Sequence, residues 1–363
     1  MFSAESKKNI DLHLTISMAL LMAVGIFIQI SLGYIESTYL IFIFLAIVVF
    51  FVSSAIDFEF YAAFSKYFYV LSIILLIIPL LIGQATRGTI RWIPIGSFTL
   101  QPAEIVRPFL FLFAAKYLNS GKKNYTNIFN AALIFGLPTF LILIQPSLGV
   151  TILTSFGFLG VYLLSRFTKR QYLISFLIVL ISLPIGLSLT ADYQRQRLTA
   201  FLNPGDDPLG AGYNSIQSMI SVGSGGFFGR GLGRGVQTQL QFLPERQSDF
   251  IFASVSEELG FVGSTIILLI TFYLLYRIIY IAKNTNSEIA SAYTGGLFLS
   301  FFAQIMIHVG MNLGLFPITG VPYPFLSAGG SSLIATFFSL GIVSSVSTTH
   351  TISSKLETGA KFS

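Results

Sequence analysis

Charged side chains are scarce in this chain of 363 residues, with 15 acids against 21 lysines and arginines, so their placement is informative. Asp249 stands where a long polar segment meets an apolar run. A carboxylate at such a junction can take a proton from a reacting hydroxyl. It can equally cap the helix expected near Phe250, a duty Ser248 could share. Glu257 and Glu258 follow about two helical turns farther in, as a buried hydrogen-bonded pair or with a direct role. A second polar stretch runs from Gln84 to Arg107 and is punctuated by Gly88, Pro94, Gly96 and Pro102, so it is not one helix. Pro102 can open a helix whose first turns carry Glu104 and Arg107 on the same side. Trp92, the only tryptophan, fits an interfacial anchor.

Other chemistries find no support. His13, His308 and His350 are scattered and make neither a zinc site nor a triad. His308 reads as a satisfied histidine of the core rather than part of a proton path. The glycine-rich stretch 223–235 lets backbone amides approach a ligand, but no Gly-Lys-Ser/Thr ends it, so a nucleotide P-loop is excluded. There is no cysteine, hence no disulfide.

These residues must be positioned by membrane helices. Hydrophobic residues make up 54%, charged residues 10%, and mean hydropathy is +0.78. A water-soluble surface needs roughly a quarter charged residues. Long, non-alternating apolar runs favour helices over a barrel. A ruler of roughly 20 apolar residues places spans near 12–34, 39–56, 67–83, 103–118, 128–145, 149–165, 173–190, 250–281, 289–316 and 325–348. The first reads as a retained helix, not a cleaved leader. The expected fold is an all-α polytopic membrane protein, one domain over residues 1–363. It has about ten transmembrane helices, a large extracytoplasmic loop (about 191–249) between helices 7 and 8, and both termini on one side. That loop is too long to be structureless in a compact domain, and a short helix is expected around 215–222.

Short-loop cations favour cytoplasmic termini. In that orientation every lysine falls inside, and the outer cations are Arg87, Arg91, Arg107, Arg195, Arg197, Arg230, Arg234 and Arg246. Arginine presents a planar fork that binds phosphate or carboxylate through two bonds. An all-arginine outer face therefore points to anion recognition, or else to pairing with outer acids and snorkelling at the interface.

Several longer motifs carry a family resemblance. The run 205–213, then Gln217-Ser218, Gly223-Ser224-Gly225-Gly226-Phe227-Phe228-Gly229 and Phe242-Leu243-Pro244-Glu245-Arg246-Gln247-Ser248-Asp249-Phe250-Ile251-Phe252 resemble the large outer loop of the SEDS family (shape, elongation, division and sporulation). Glu257-Glu258-Leu259-Gly260, Arg91-Trp92-Ile93, Gln101-Pro102-Ala103-Glu104 and Pro324-Phe325-Leu326-Ser327-Ala328-Gly329-Gly330-Ser331-Ser332 resemble further motifs of the same family. The short N-terminus and residues 237–246 look more like its RodA branch than its division branch, FtsW.

The resemblance implies a peptidoglycan glycosyltransferase of the bacterial cytoplasmic (inner) membrane that polymerises lipid II. Its partner would be a class B penicillin-binding protein; no nucleic acid is implied. It assigns Asp249 as the catalytic carboxylate. The substrate-binding candidates are Glu104, Arg91, Arg107, Arg195, Arg197, Arg246, Glu245, Gln217 and Ser327. Arginines, or a divalent cation such as Mg or Mn held by phosphate and carboxylate, would offset pyrophosphate charge. Three positions depart from the family pattern: Arg107 for a usual lysine, Ser147 for a usual acid, and Ala328 for a usual tyrosine. A lipid-linked precursor flippase and a noncatalytic scaffold that activates a penicillin-binding protein are the rival readings. A flippase would spread charge through the bilayer depth, whereas here charge gathers at the outer boundary.

Overall fold

A computed structural model describes residues 10–82, 91–95, 98–120, 125–165, 167–173, 197, 199–210 and 212–359. The helices in chain order are α1 (Leu12–Ser31), α2 (Ser37–Ala55), α3 (Phe58–Ile82), α4 (Pro102–Ile105), α5 (Arg107–Asn119), α6 (Tyr125–Ile144) and α7 (Leu148–Leu164). They continue with α8 (Tyr213–Ser224), α9 (Val236–Gln239), α10 (Ile251–Asn284), α11 (Glu288–Asn312) and α12 (Gly330–Gly359). Between α3 and α4 lies an antiparallel hairpin of β1 (Ile93–Ile95) and β2 (Phe98–Leu100).

Among the described residues, α1, α2, α3, α10, α11 and α12 contain stretches long and apolar enough to cross a membrane, and α6 and α7 carry shorter apolar runs. Large apolar side chains point outward along them, as with Leu81 (79% exposed) and Phe44 (66%). Water would penalise such a surface, whereas lipid does not. The protein is an integral membrane protein.

Small residues set the tightest contacts. Gly160 of α7 lies against the Gly295 carbonyl of α11, and Gly296 returns the approach toward the Gly157 carbonyl. Lipid gives helices no hydrophobic reason to associate, so close backbone packing supplies the attraction instead. α7 runs along α11, and α2 along α12.

The structure departs from the expected spans in identifiable ways. The span expected at 103–118 is two helices, α4 and α5, joined at Val106. The span expected at 325–348 begins only at Gly330, because 325–329 fold as an irregular segment. The short helix expected at 215–222 is α8. The span expected at 173–190 lies outside the described residues except at Leu173.

α10 is two helical stretches joined by a kink at Gly260, whose φ is 67° and ψ −164°. A side chain there would meet the Gly229 amide and the Phe228 carbonyl carbon. At the break the helix trades hydrogen bonds with the glycine-rich loop. The Glu257 and Glu258 carbonyls accept from the Arg230 and Gly231 amides at 2.9 and 3.0 Å. The Phe261 and Val262 amides donate to the Gly226 and Phe227 carbonyls at 3.0 and 3.1 Å. Four backbone groups at the break are thereby satisfied, as non-helical backbone at membrane depth requires.

Candidate functional site

Asp249 immediately precedes Phe250, the N-cap residue of α10. The segment before it is held by several elements. Gln29 of α1 donates its side-chain amide to the Gln247 and Leu326 carbonyls at 2.8 and 3.0 Å. Ser327 donates its hydroxyl to the Ser248 carbonyl at 2.7 Å, and the Ala328 amide donates to the Gln247 carbonyl at 2.9 Å. Ser254 of α10 reaches back to the Arg246 carbonyl at 3.0 Å. Glu245 and Phe325 hold positive φ, at 50° and 69°. Such strained conformations persist where surrounding contacts over-determine the chain, and they gather at functional sites.

A residue from another helix shares in capping α10. The amide of Ala253, in the first turn of α10, donates to Asn312 Oδ1 at 3.0 Å. Asn312 comes from the end of α11, so a neighbouring helix supplies the cap and the Asp249 side chain lines a cavity.

That cavity has a volume of about 380 Å³. It brings Asp249 and Glu245 together with Arg91, Trp92, Glu104 and Ser147 from distant parts of the sequence. α4 delivers Glu104 because Pro102 opens it and Gln101 is pinned, its amide on Ser331 Oγ at 3.0 Å and its side chain on Ser147 Oγ at 3.3 Å. Glu104 is buried, with Arg107, Ser332 and Arg91 acting on its carboxylate. Arg107 lies beneath, facing a void of about 10 Å³ that Glu104 also lines. Its Nε and Nη1 have no hydrogen-bond partner among the described residues.

The other candidates fall elsewhere. The Arg246 guanidinium donates to the Leu32 carbonyl at 3.3 Å, and that of Arg197 to the Ile318 carbonyl at 3.0 Å. Ser327 is buried, and its hydroxyl also accepts from the Tyr323 amide at 2.8 Å. Gln217 lies on α8, and none of these four lines the cavity. Arg195 lies outside the described residues. Arg91 is therefore the described arginine on the wall, which Glu36 joins as an acid that sequence reasoning passed over. Among the described residues no three His, Asp or Glu side chains converge to hold a metal ion, and no step below is routed through one.

The paired glutamates fasten the glycine-rich loop and α9 to α10. Glu257 accepts from the Gln237 and Thr238 amides at 2.9 and 3.0 Å, capping α9 from α10. Glu258 accepts from Ser31 Oγ at 2.6 Å, the Gly233 amide at 3.2 Å and Gln239 Nε2 at 3.0 Å. Both are fully buried, and these donors offset the cost of burying charge.

Comparison with known proteins agrees in kind. The "Cell cycle protein" family model of FtsW, RodA and SpoVE matches residues 9–352. The chain is 39% identical to peptidoglycan glycosyltransferase MrdB of Escherichia coli over 81% of its length and 80% of that protein. It is 36% identical to stage V sporulation protein E of Bacillus subtilis, covering 94% and 98%. A solved chain from work on the structural coordination of polymerization and crosslinking by a peptidoglycan synthase complex superposes with a TM-score of 0.79. That chain is 26% identical, over 94% of this chain and 98% of itself.

Proposed function

This chain belongs to the FtsW, RodA and SpoVE family of cell cycle proteins, the SEDS family, and from that membership we propose that it is a peptidoglycan glycosyltransferase that polymerises lipid II. It acts at the outer face of the bacterial cytoplasmic membrane, on a ten-span fold with both termini in the cytoplasm. The RodA-type role in elongation and shape is favoured over division. Its partner is a class B penicillin-binding protein, in keeping with the likeness to a chain studied for coordinated polymerization and crosslinking.

One observation carries the reading. Asp249, Glu104 and Arg91 come from separate elements and line one cavity. In the reaction, the 4-hydroxyl of the acceptor's terminal GlcNAc attacks the anomeric carbon of the donor. The new glycosidic C–O bond forms as the bond to the lipid pyrophosphate breaks, and the pyrophosphate leaves with the electron pair. The hydroxyl proton passes to the Asp249 carboxylate, which orients the nucleophile and takes the proton late. Arg91 stands where it can offset charge on the departing pyrophosphate, and Glu104 keeps Arg107 compensated beneath.

The test is purified protein with its class B partner and labelled lipid II in detergent. Glycan strands resolved as a ladder on a gel are the expected result. Lipid II translocation across liposomes with no ladder in detergent would replace this reading with the flippase. No turnover, with the partner's crosslinking stimulated, would replace it with the scaffold.

A further inference from the structure

We infer that Asn312 is a positioning residue for the Asp249 carboxylate, holding the junction between the outer loop and α10 from the end of α11. The inference rests on the reading of Asp249 as the catalytic carboxylate.

The argument begins with spacing. Gln304, His308 and Asn312 are four apart along α11, so they stack on one face. All three are fully buried in a membrane helix, where a polar side chain is costly unless it is bonded. Each spends its bond on irregular backbone at the outer end. Gln304 Nε2 donates to the Pro322 carbonyl at 2.8 Å, and His308 Nδ1 meets the Val321 carbonyl at 2.7 Å. Asn312 Nδ2 donates to the Asp249 carbonyl at 3.2 Å and to the His308 carbonyl at 2.7 Å, while Oδ1 accepts from the Ala253 amide.

The three side chains thus set two walls of one cavity. Gly320 and Pro322 line the side facing Asp249, and a β-carbon built at Gly320 would stand 3.4 Å from Asp249 Oδ2. Asn312 is the member that grips the Asp249 residue itself. It bonds the carbonyl of Asp249 and caps the first turn of the helix that follows, fixing the chain directly after the Cα that carries the carboxylate. Only a side chain with a donor and an acceptor on one planar group can make both bonds. Without it, the carboxylate keeps its chemistry but loses its aim.

The test uses the full chain with its class B partner and labelled lipid II, comparing wild type, Asn312→Ala and Asn312→Asp. The aspartate variant is nearly isosteric, keeps the acceptor for Ala253 and removes the donor to Asp249. The expected result is a kcat lowered roughly 10- to 100-fold in both, with KM within about twofold. A readout independent of turnover follows from the absence of cysteine in the chain. In an Asp249→Cys chain, adding Asn312→Ala should change the rate of modification by a small water-soluble thiol reagent by at least about threefold. Unchanged kcat together with an unchanged thiol rate overturns the inference, as does a loss confined to KM. If Asp249→Asn itself retains full polymerisation, the catalytic reading falls, and the thiol rate still decides whether Asn312 aims that position.

Discussion

At the scale of single residues, the site joins acids and cations that the chain otherwise spends sparingly. Asp249 and Glu104 were legible because each is a charge where a polar segment meets an apolar run, and Arg91 because the outer cations are all arginines. Asn312 was not, because a lone asparagine in an apolar run does not reveal its partners, and here they lie 59 and 63 residues away. Glu36 was missed because one acid in a short connection gives no pattern to read. The outer arginines suggested an anion cradle, yet the guanidiniums of Arg91, Arg197 and Arg246 all bond backbone carbonyls, and of these three Arg91 alone lines the cavity, a distinction that charge counting cannot make. Glu104 and Arg107 are mutually dependent, since Arg107 is buried and faces the Glu104 charge. Glu104→Ala should therefore lower stability by about 3 kcal/mol through the charge it strands. The double variant with Arg107→Met should recover part of that loss. Thermal unfolding in detergent checks both, and additive losses would show that the two charges are not coupled.

At the scale of elements, α10 couples the glycine-rich loop to the bundle. The glycines around 223–235 and the Glu257-Glu258 pair were visible in the sequence, but the exchange of backbone bonds at Gly260 was not. Hydropathy reports apolar length, and a break at one glycine leaves that length unchanged. Gly260→Ala should destabilise the protein by at least about 1–2 kcal/mol, since it places a β-carbon in a left-handed conformation against the Gly229 amide. The same variant should increase proteolytic cutting between 223 and 235, and unaltered cutting would argue that the break is not locked. Glu257→Gln replaces one carboxylate oxygen with a donor that faces an amide donor. Loosening of α9 by about 2 kcal/mol is expected, read by hydrogen exchange at Gln237 and Thr238.

At the scale of the whole molecule, composition alone established a helical membrane protein, and the expected spans coincide with most described helices. Where they failed, as at 103–118 and 325–329, proline and glycine interrupt the helix to build the cavity wall. At the opposite end of the bundle one residue ties three helices together. Asp11 caps α1 through the Leu14 amide at 3.0 Å, and its carboxylate meets Arg277 of α10 at 2.7 Å. The Asp11 amide reaches Ser344 of α12 at 3.4 Å. Arg277→Ala should lower the thermal midpoint while leaving the polymerisation rate of the folded fraction near wild type, because the pair is remote from the Asp249 cavity. The central claim is that the Asp249 carboxylate does the chemistry in that cavity. The most direct measurement is polymerisation of lipid II by the purified complex, comparing wild type with Asp249→Asn, alongside lipid II binding and thermal stability. Glycan strands from wild type and none from a stable, substrate-binding Asp249→Asn complex are predicted; strands at the wild-type rate from both would contradict the account.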